Sequence, residues 1–206
     1  MTSLVAAMLV CAAIFASADF SASCDQSLAK PVPDMRSLAL NAAYLATLHW
    51  TRLIMASRLL PPGTNAFDSL SVGDRIQTGK TAITEEMIER FAALTGDTFE
   101  IHMSDAAAIR HGFSARVAHG LLVLSLVDGL KNQSAAQING LASLGWNWTF
   151  RRPVLVNDQI SALMTILEKR LTANPDRGIV KIGFEVSNQS GTLVQRGENL
   201  LMVYRG

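Results

Sequence analysis

Cysteine is nearly missing from this chain of 206 residues: there are 2, Cys11 and Cys24, and none follows Lys30. The body of the protein therefore has no means of forming a disulfide or a thiolate metal site. Charge is sparse too, at 17% of residues with a formal net charge of +1. No basic run and no basic–aromatic interleaving occurs, which argues against nucleic acid as a partner. The 4 histidines, His49, His102, His111 and His119, lack the paired spacing of a zinc site, so no metal is expected. A chain of this length is expected to form one domain with a sizeable core and an appendage.

The appendage is N-terminal. Leu4 to Ala18 is apolar and uncharged, with a cleavage-like Ala16-Ser17-Ala18 at its end. It lacks the positive flank of a secretory signal and is short for a membrane-spanning helix. Ser21 to Cys24 imitates a lipid-attachment site poorly. The favoured reading is an upstream extension, or a start placed too early with Met35 or Met55 as the true one, in a cytoplasmic protein. Export or membrane association through this segment is the alternative. Lys30 to Asp34, with two prolines, reads as a linker, and Ser37 to Leu60 has apolar residues at helical spacing until Pro61-Pro62-Gly63 stops it. These features divide the chain into an extension, 1–66, and a domain, 67–206.

Within that domain Asp74 to Ile83 reads as a strand. Thr84 is an N-cap candidate with Glu85 and Glu86 in the first turn, where the helix dipole favours acids. Ile88, Phe91, Ala92 and Thr95 give this helix its buried face, and Gly96 ends it. Asp97 to His102 then reads as loop, and Ser104 caps a short helix through Ala108. Leu121 to Leu130 is apolar all round except for Ser125 and Asp128, so the expected helix is enclosed on every side. From Leu141 the period changes to two. Trp146 to Phe150, Gln159 to Leu171, Ile179 to Ser187 and Thr192 to Tyr204 read as strands separated by turns, with Trp146 and Trp148 as packing residues. One early strand, helices, and an antiparallel meander make an α+β fold.

Several separated motifs now occur in one order: Phe91-Ala92, Thr95-Gly96-Asp97-Thr98, Ile101-His102, Ala118-His119-Gly120-Leu121 with Ser125-Leu126, Phe150-Arg151-Arg152-Pro153-Val154, and Asn157-Asp158. In this the chain resembles the MaoC-like dehydratases, which include the (R)-specific enoyl-CoA hydratases, from about Phe67 to the C-terminus. The resemblance implies a hot-dog fold, in which a curved antiparallel sheet wraps a central helix, and a homodimer. It implies reversible hydration of a trans-2-enoyl-CoA to a (R)-3-hydroxyacyl-CoA with no metal or redox cofactor. Asp97 and His102 would activate water, and the Gly120 N–H would stabilise the thioester enolate. Ser125, Asp128, Arg151 and Arg152 are the candidate substrate-binding residues, the arginines as partners of the CoA phosphates, and His119 is expected to be structural. Two departures stand out. Phe99-Glu100 replaces the family's Asn-Pro, whose proline stiffens the loop that aims the histidine. Asp128 stands where many hydratases have Ser or Thr, and an acid in an apolar helix needs a partner or a proton; sharing one with Asp97 is one way to meet that need. Two other readings remain. One is a hot-dog thioesterase acting through Asp128, and the other is a non-catalytic acyl-thioester binding subunit.

Overall fold

The computed structural model describes residues 58–206. The apolar N-terminal run, the linker and most of the expected 37–60 helix lie outside the described residues. The described end of that stretch is extended, not helical: Leu59 bridges Arg75, and Leu60 is buried in the core.

In chain order the elements are β1 (Gly63–Asn65), a 3-10 turn (Phe67–Ser69), β2 (Arg75–Ala82), α1 (Glu85–Thr95), α2 (Glu100–Met103) and α3 (Asp105–Arg110). They continue with α4 (Gly120–Asn132), β3 (Ala136–Ile138), β4 (Gly140–Phe150), β5 (Gln159–Leu171), β6 (Arg177–Ser187) and β7 (Leu193–Tyr204). Strands β2-β5-β6-β7-β4 form one antiparallel sheet, and β1 pairs with β3 in a short parallel ladder. The meander β5-β6-β7 is thus flanked by two strands that precede it in the chain. This is a hot-dog fold: the sheet wraps α4, which packs against β2, β5 and β3.

Alternation explains the core. Ile160, Ala162, Met164 and Ile166 of β5 are buried, as are Val180, Ile182, Phe184 and Val186 of β6. Their common face meets Val123 and Val127 of α4, both fully buried. Burying a side chain of this size contributes roughly 1.5–3 kcal/mol.

Three expectations are corrected. The central helix is not enclosed on every side, because Leu121 is 59% exposed and Ser125 is exposed as well, leaving one open stripe. Thr95 does not belong to the buried face of α1; it is exposed, and its hydroxyl donates to the Phe91 carbonyl at 2.7 Å. The stretch Asp97 to His102 is not all loop, since α2 begins at Glu100 and carries His102. Four residues are too few to display a helical period in sequence.

Candidate active site

The caps of α1 deliver the first functional group. Thr84 Oγ1 accepts from the Met87 N–H at 3.2 Å, and Gly96 closes the helix in the left-handed conformation with φ 77°. A side chain is strained there, so glycine is suited to the turn. Asp97 follows, exposed, with its carboxylate accepting from the Phe99 N–H at 3.4 Å.

The second group is His102. The Val117 N–H donates to the Ile101 carbonyl at 3.1 Å, and His102 Nδ1 donates to the Val117 carbonyl at 2.7 Å. A carbonyl can only accept, so the proton of the neutral ring sits on Nδ1 and the Nε2 lone pair is left for chemistry. The segment that supplies Val117 is itself sewn to the next loop: Ala118 N–H donates to the Val154 carbonyl at 2.8 Å and Val156 N–H to the Arg116 carbonyl at 2.9 Å.

His119 joins them. Its ring stacks on His102 with centroids 3.9 Å apart, and Nε2–H donates to the Asp97 carbonyl at 2.9 Å. It is buried, and its Nδ1 has no partner. One buried imidazole therefore backs the His102 ring and holds the Asp97 backbone. Partial burial pushes the His102 pKa below its usual value of 6.5; the bond to Val117 opposes this, neighbouring His119 adds to the lowering, and Asp97 opposes it. The neutral ring is the favoured state.

The third group is the start of α4. Gly120 is its first residue, so its N–H has no intrahelical acceptor and lies at the positive end of the helix dipole. Its carbonyl accepts from Gln195 Nε2 at 3.2 Å, while Gln195 Oε1 accepts from Trp148 Nε1 at 2.8 Å. Trp148 is anchored in turn against Trp146 and Phe184. A Cβ on Gly120 would lie 2.7 Å from the Phe150 ring, so any larger residue there would have to push that exposed ring aside. His102, Val117, Gly120, Phe150, Arg151, Arg152 and Gln195 line one cleft of about 310 Å³. A somewhat larger groove, about 360 Å³, crosses the sheet near Thr165 and Glu198, but no histidine lines it.

Residues 69–187 match the MaoC like domain. The chain belongs to the MaoC-like dehydratase family. It is 32% identical to an (R)-specific enoyl-CoA hydratase of Aeromonas caviae over 63% of this chain and 92% of that one. It is 28% identical to a mitochondrial 3-hydroxyacyl-[acyl-carrier-protein] dehydratase of Arabidopsis thaliana over 61% of this chain and 72% of the relative. Among solved structures, a MaoC-like dehydratase from Rhodospirillum rubrum superposes with a TM-score of 0.64 at 25% identity, covering 69% of this chain and 98% of that one. The (R)-hydratase of A. caviae gives 0.54 at 28%, covering 65% and 96%.

In this MaoC-like chain the residues expected from sequence divide into two groups. Asp97, His102, Gly120, Arg151 and Arg152 gather at the N-terminal end of α4, the last four along the cleft. Ser125 and Asp128 do not line it. Ser125 Oγ donates back to the Leu121 carbonyl at 2.8 Å. Asp128 lies about 12 Å along the helix from Gly120 and is paired with Lys131 at 2.6 Å. Its charged partner is thus Lys131 and not Asp97. Asp97, His102 and His119 offer ligand atoms within 4.8 Å of one another. They are a poor metal cage, because an ion must lie in both ring planes, and stacked planes inclined by only 28° meet far from either ring. The Val117 carbonyl, the stacking of His119 and the Gln195 link were not visible in sequence, because each joins residues far apart in the chain.

One measurement checks the His102 environment without any assay. NMR titration should give His102 a midpoint below 6.5, with Nδ1 carrying the proton of the neutral ring. A midpoint at or above 6.5 would contradict the burial argument.

Proposed function

We propose that this protein catalyses reversible hydration of a trans-2-enoyl thioester to a 3-hydroxyacyl thioester, with the (R) product of its family and CoA as the carrier. The observation that carries the reading is the His102 ring, held through Nδ1 by the Val117 carbonyl with Nε2 turned free, beside Asp97 and at the mouth of the cleft that Gly120 lines.

The chemistry follows from these positions. A water held between Asp97 and His102 gives one proton to His102 Nε2, and its oxygen bonds to the β-carbon. Asp97 accepts a hydrogen bond from the water's second O–H, which stays on the oxygen and becomes the product hydroxyl, and so orients it. The electron pair of the double bond moves toward the thioester carbonyl, giving an enolate whose oxygen is met by the Gly120 N–H. A donor so placed lowers such a barrier by roughly 3–4 kcal/mol. The proton on His102 then passes to the α-carbon, which restores the neutral base and completes the addition. Because base and acid are one imidazole, a pKa below 6.5 keeps the enzyme in its starting state at neutral pH.

Arg151 and Arg152 border the cleft and also an adjoining surface hollow with Arg196. Three guanidinium groups at one mouth suit the phosphates of a CoA carrier. The second copy of a homodimer would cover β4. This edge strand has no charge between Gly140 and Phe150, and it exposes Leu141 and Leu144. The opposite edge, β2, is blunted by a bulge between Gln77 and Lys80 and by the lysine itself. A long uncharged edge calls for a partner strand. Among the described residues no helix is long and apolar enough to cross a membrane.

Crotonyl-CoA hydration, followed as loss of enone absorbance, tests the reaction. Asp97→Asn and His102→Ala should each lower kcat by about 10²–10⁴-fold; activity that survives both changes would remove the site. Arg151→Ala with Arg152→Ala should raise KM for crotonyl-CoA about tenfold while kcat stays within about twofold, the pattern of lost uniform binding. An unchanged KM would dissociate the arginines from the carrier. Static light scattering should return twice the chain mass, and a monomer at micromolar concentration would refute the paired edge.

A further inference from the structure

We infer that Glu100 is a positioning residue for His102, acting through an ion cluster with Arg110 and His111. The inference rests on the hydration reading above. Helix α2 has 4 residues and no side-chain cap at its N-terminus. At its two ends the His102 N–H donates to the Phe99 carbonyl at 2.9 Å and the Ser104 N–H to the Glu100 carbonyl at 3.2 Å. Such a fragment has no stability by itself.

Two ties hold it. On one side Ile101 and His102 are bonded to Val117. On the other, both oxygens of Glu100 are engaged at the far end of α3: Oε2 accepts from Arg110 Nη2 and Oε1 from His111 Nε2, each at 2.7 Å. The Phe99 ring stands between His102 and His111, 6.3 and 6.0 Å from their centroids. The His111 bond, with help from Arg110 and against partial desolvation, holds the Glu100 carboxyl below its usual range. The carboxylate thus closes a loop of side chains around the first turn of α2, two residues from the base.

The three side chains are about half exposed, with relative exposures of 50%, 62% and 44% for Glu100, Arg110 and His111. Exposed pairs contribute little to global stability. The cluster therefore affects where His102 points more than whether the domain folds. Small misplacements of a reacting group are costly: about 1 Å can cost 10²-fold.

The test compares Glu100→Ala with Glu100→Pro in the full chain. Position 100 is the first of its helix, where proline is well tolerated and lacks only an N–H that the helix does not use. Phe99, with φ −57° and ψ 132°, already has the conformation that precedes proline. Proline should therefore stiffen α2 with no ion cluster. In crotonyl-CoA hydration Glu100→Ala should lower kcat about three- to tenfold with KM within about twofold, and Glu100→Pro should recover most of the loss. Amide exchange at His102 and Ser104 should quicken in the Ala variant and slow again in the Pro variant. Exchange reads the brace even if the wild-type protein hydrates nothing, so failure of the reaction and failure of the brace are separable. A folded Ala variant with wild-type kcat, or one with unchanged exchange at His102, overturns the inference. So does a Pro variant no better than Ala.

Discussion

The site depends on one reciprocal clasp: Val117 gives its N–H to Ile101 and receives the His102 imidazole on its carbonyl. A backbone carbonyl cannot rotate away from its partner as a side chain can, so tautomer and ring direction are set together. The carbonyl is no more mobile than the segment it belongs to, and residues 116–118 are bonded to residues 154–156. That second segment precedes the turn into β5. The orientation of the base is therefore a consequence of how the sheet closes.

The same segment runs on into α4, which is why a base and a helix N-terminus share one cleft. His119 and Gly120 are consecutive, and one backs the imidazole while the other presents its N–H. Gln195 fixes the helix start from β7 and is itself held by Trp148. The aromatic cluster on β4 and β6 is thus more than packing, since it reaches the N-terminal end of the helix through one buried amide. The opposite end of the helix has different partners: Asp128 pairs with Lys131, whose ammonium lies over Trp146 at 5.6 Å.

Where the family pattern has Asn-Pro, this chain uses Phe99-Glu100, and the two solutions differ in kind. Proline restricts one torsion angle locally. Glu100 instead reaches to residues 10 and 11 positions on, so its effect exists only after α3 has formed. On the inference drawn above, those tertiary contacts take the place of the family's proline.

The long elements were legible because their signals are local. Alternation from Ile160 to Ile166 between two turns marked β5, and Thr84 with Gly96 bracketed α1. Short elements were not: β1 and β3 have 3 residues each and α2 has 4, too few to show a period. Nor could the apolar pattern of Leu121 to Leu130 tell a helix enclosed by its own sheet from one with an open stripe. By itself the sequence determined the long elements, the order of the motifs and the types of acid, imidazole and glycine that meet at the cleft, since propensity and patterning act over a few residues. Only the tertiary structure decided that His102 bonds Val117, that His119 stacks beneath it and that Asp128 turns to a lysine. Those contacts join residues separated by loop or helix, and their geometry exists only once the sheet has closed around α4.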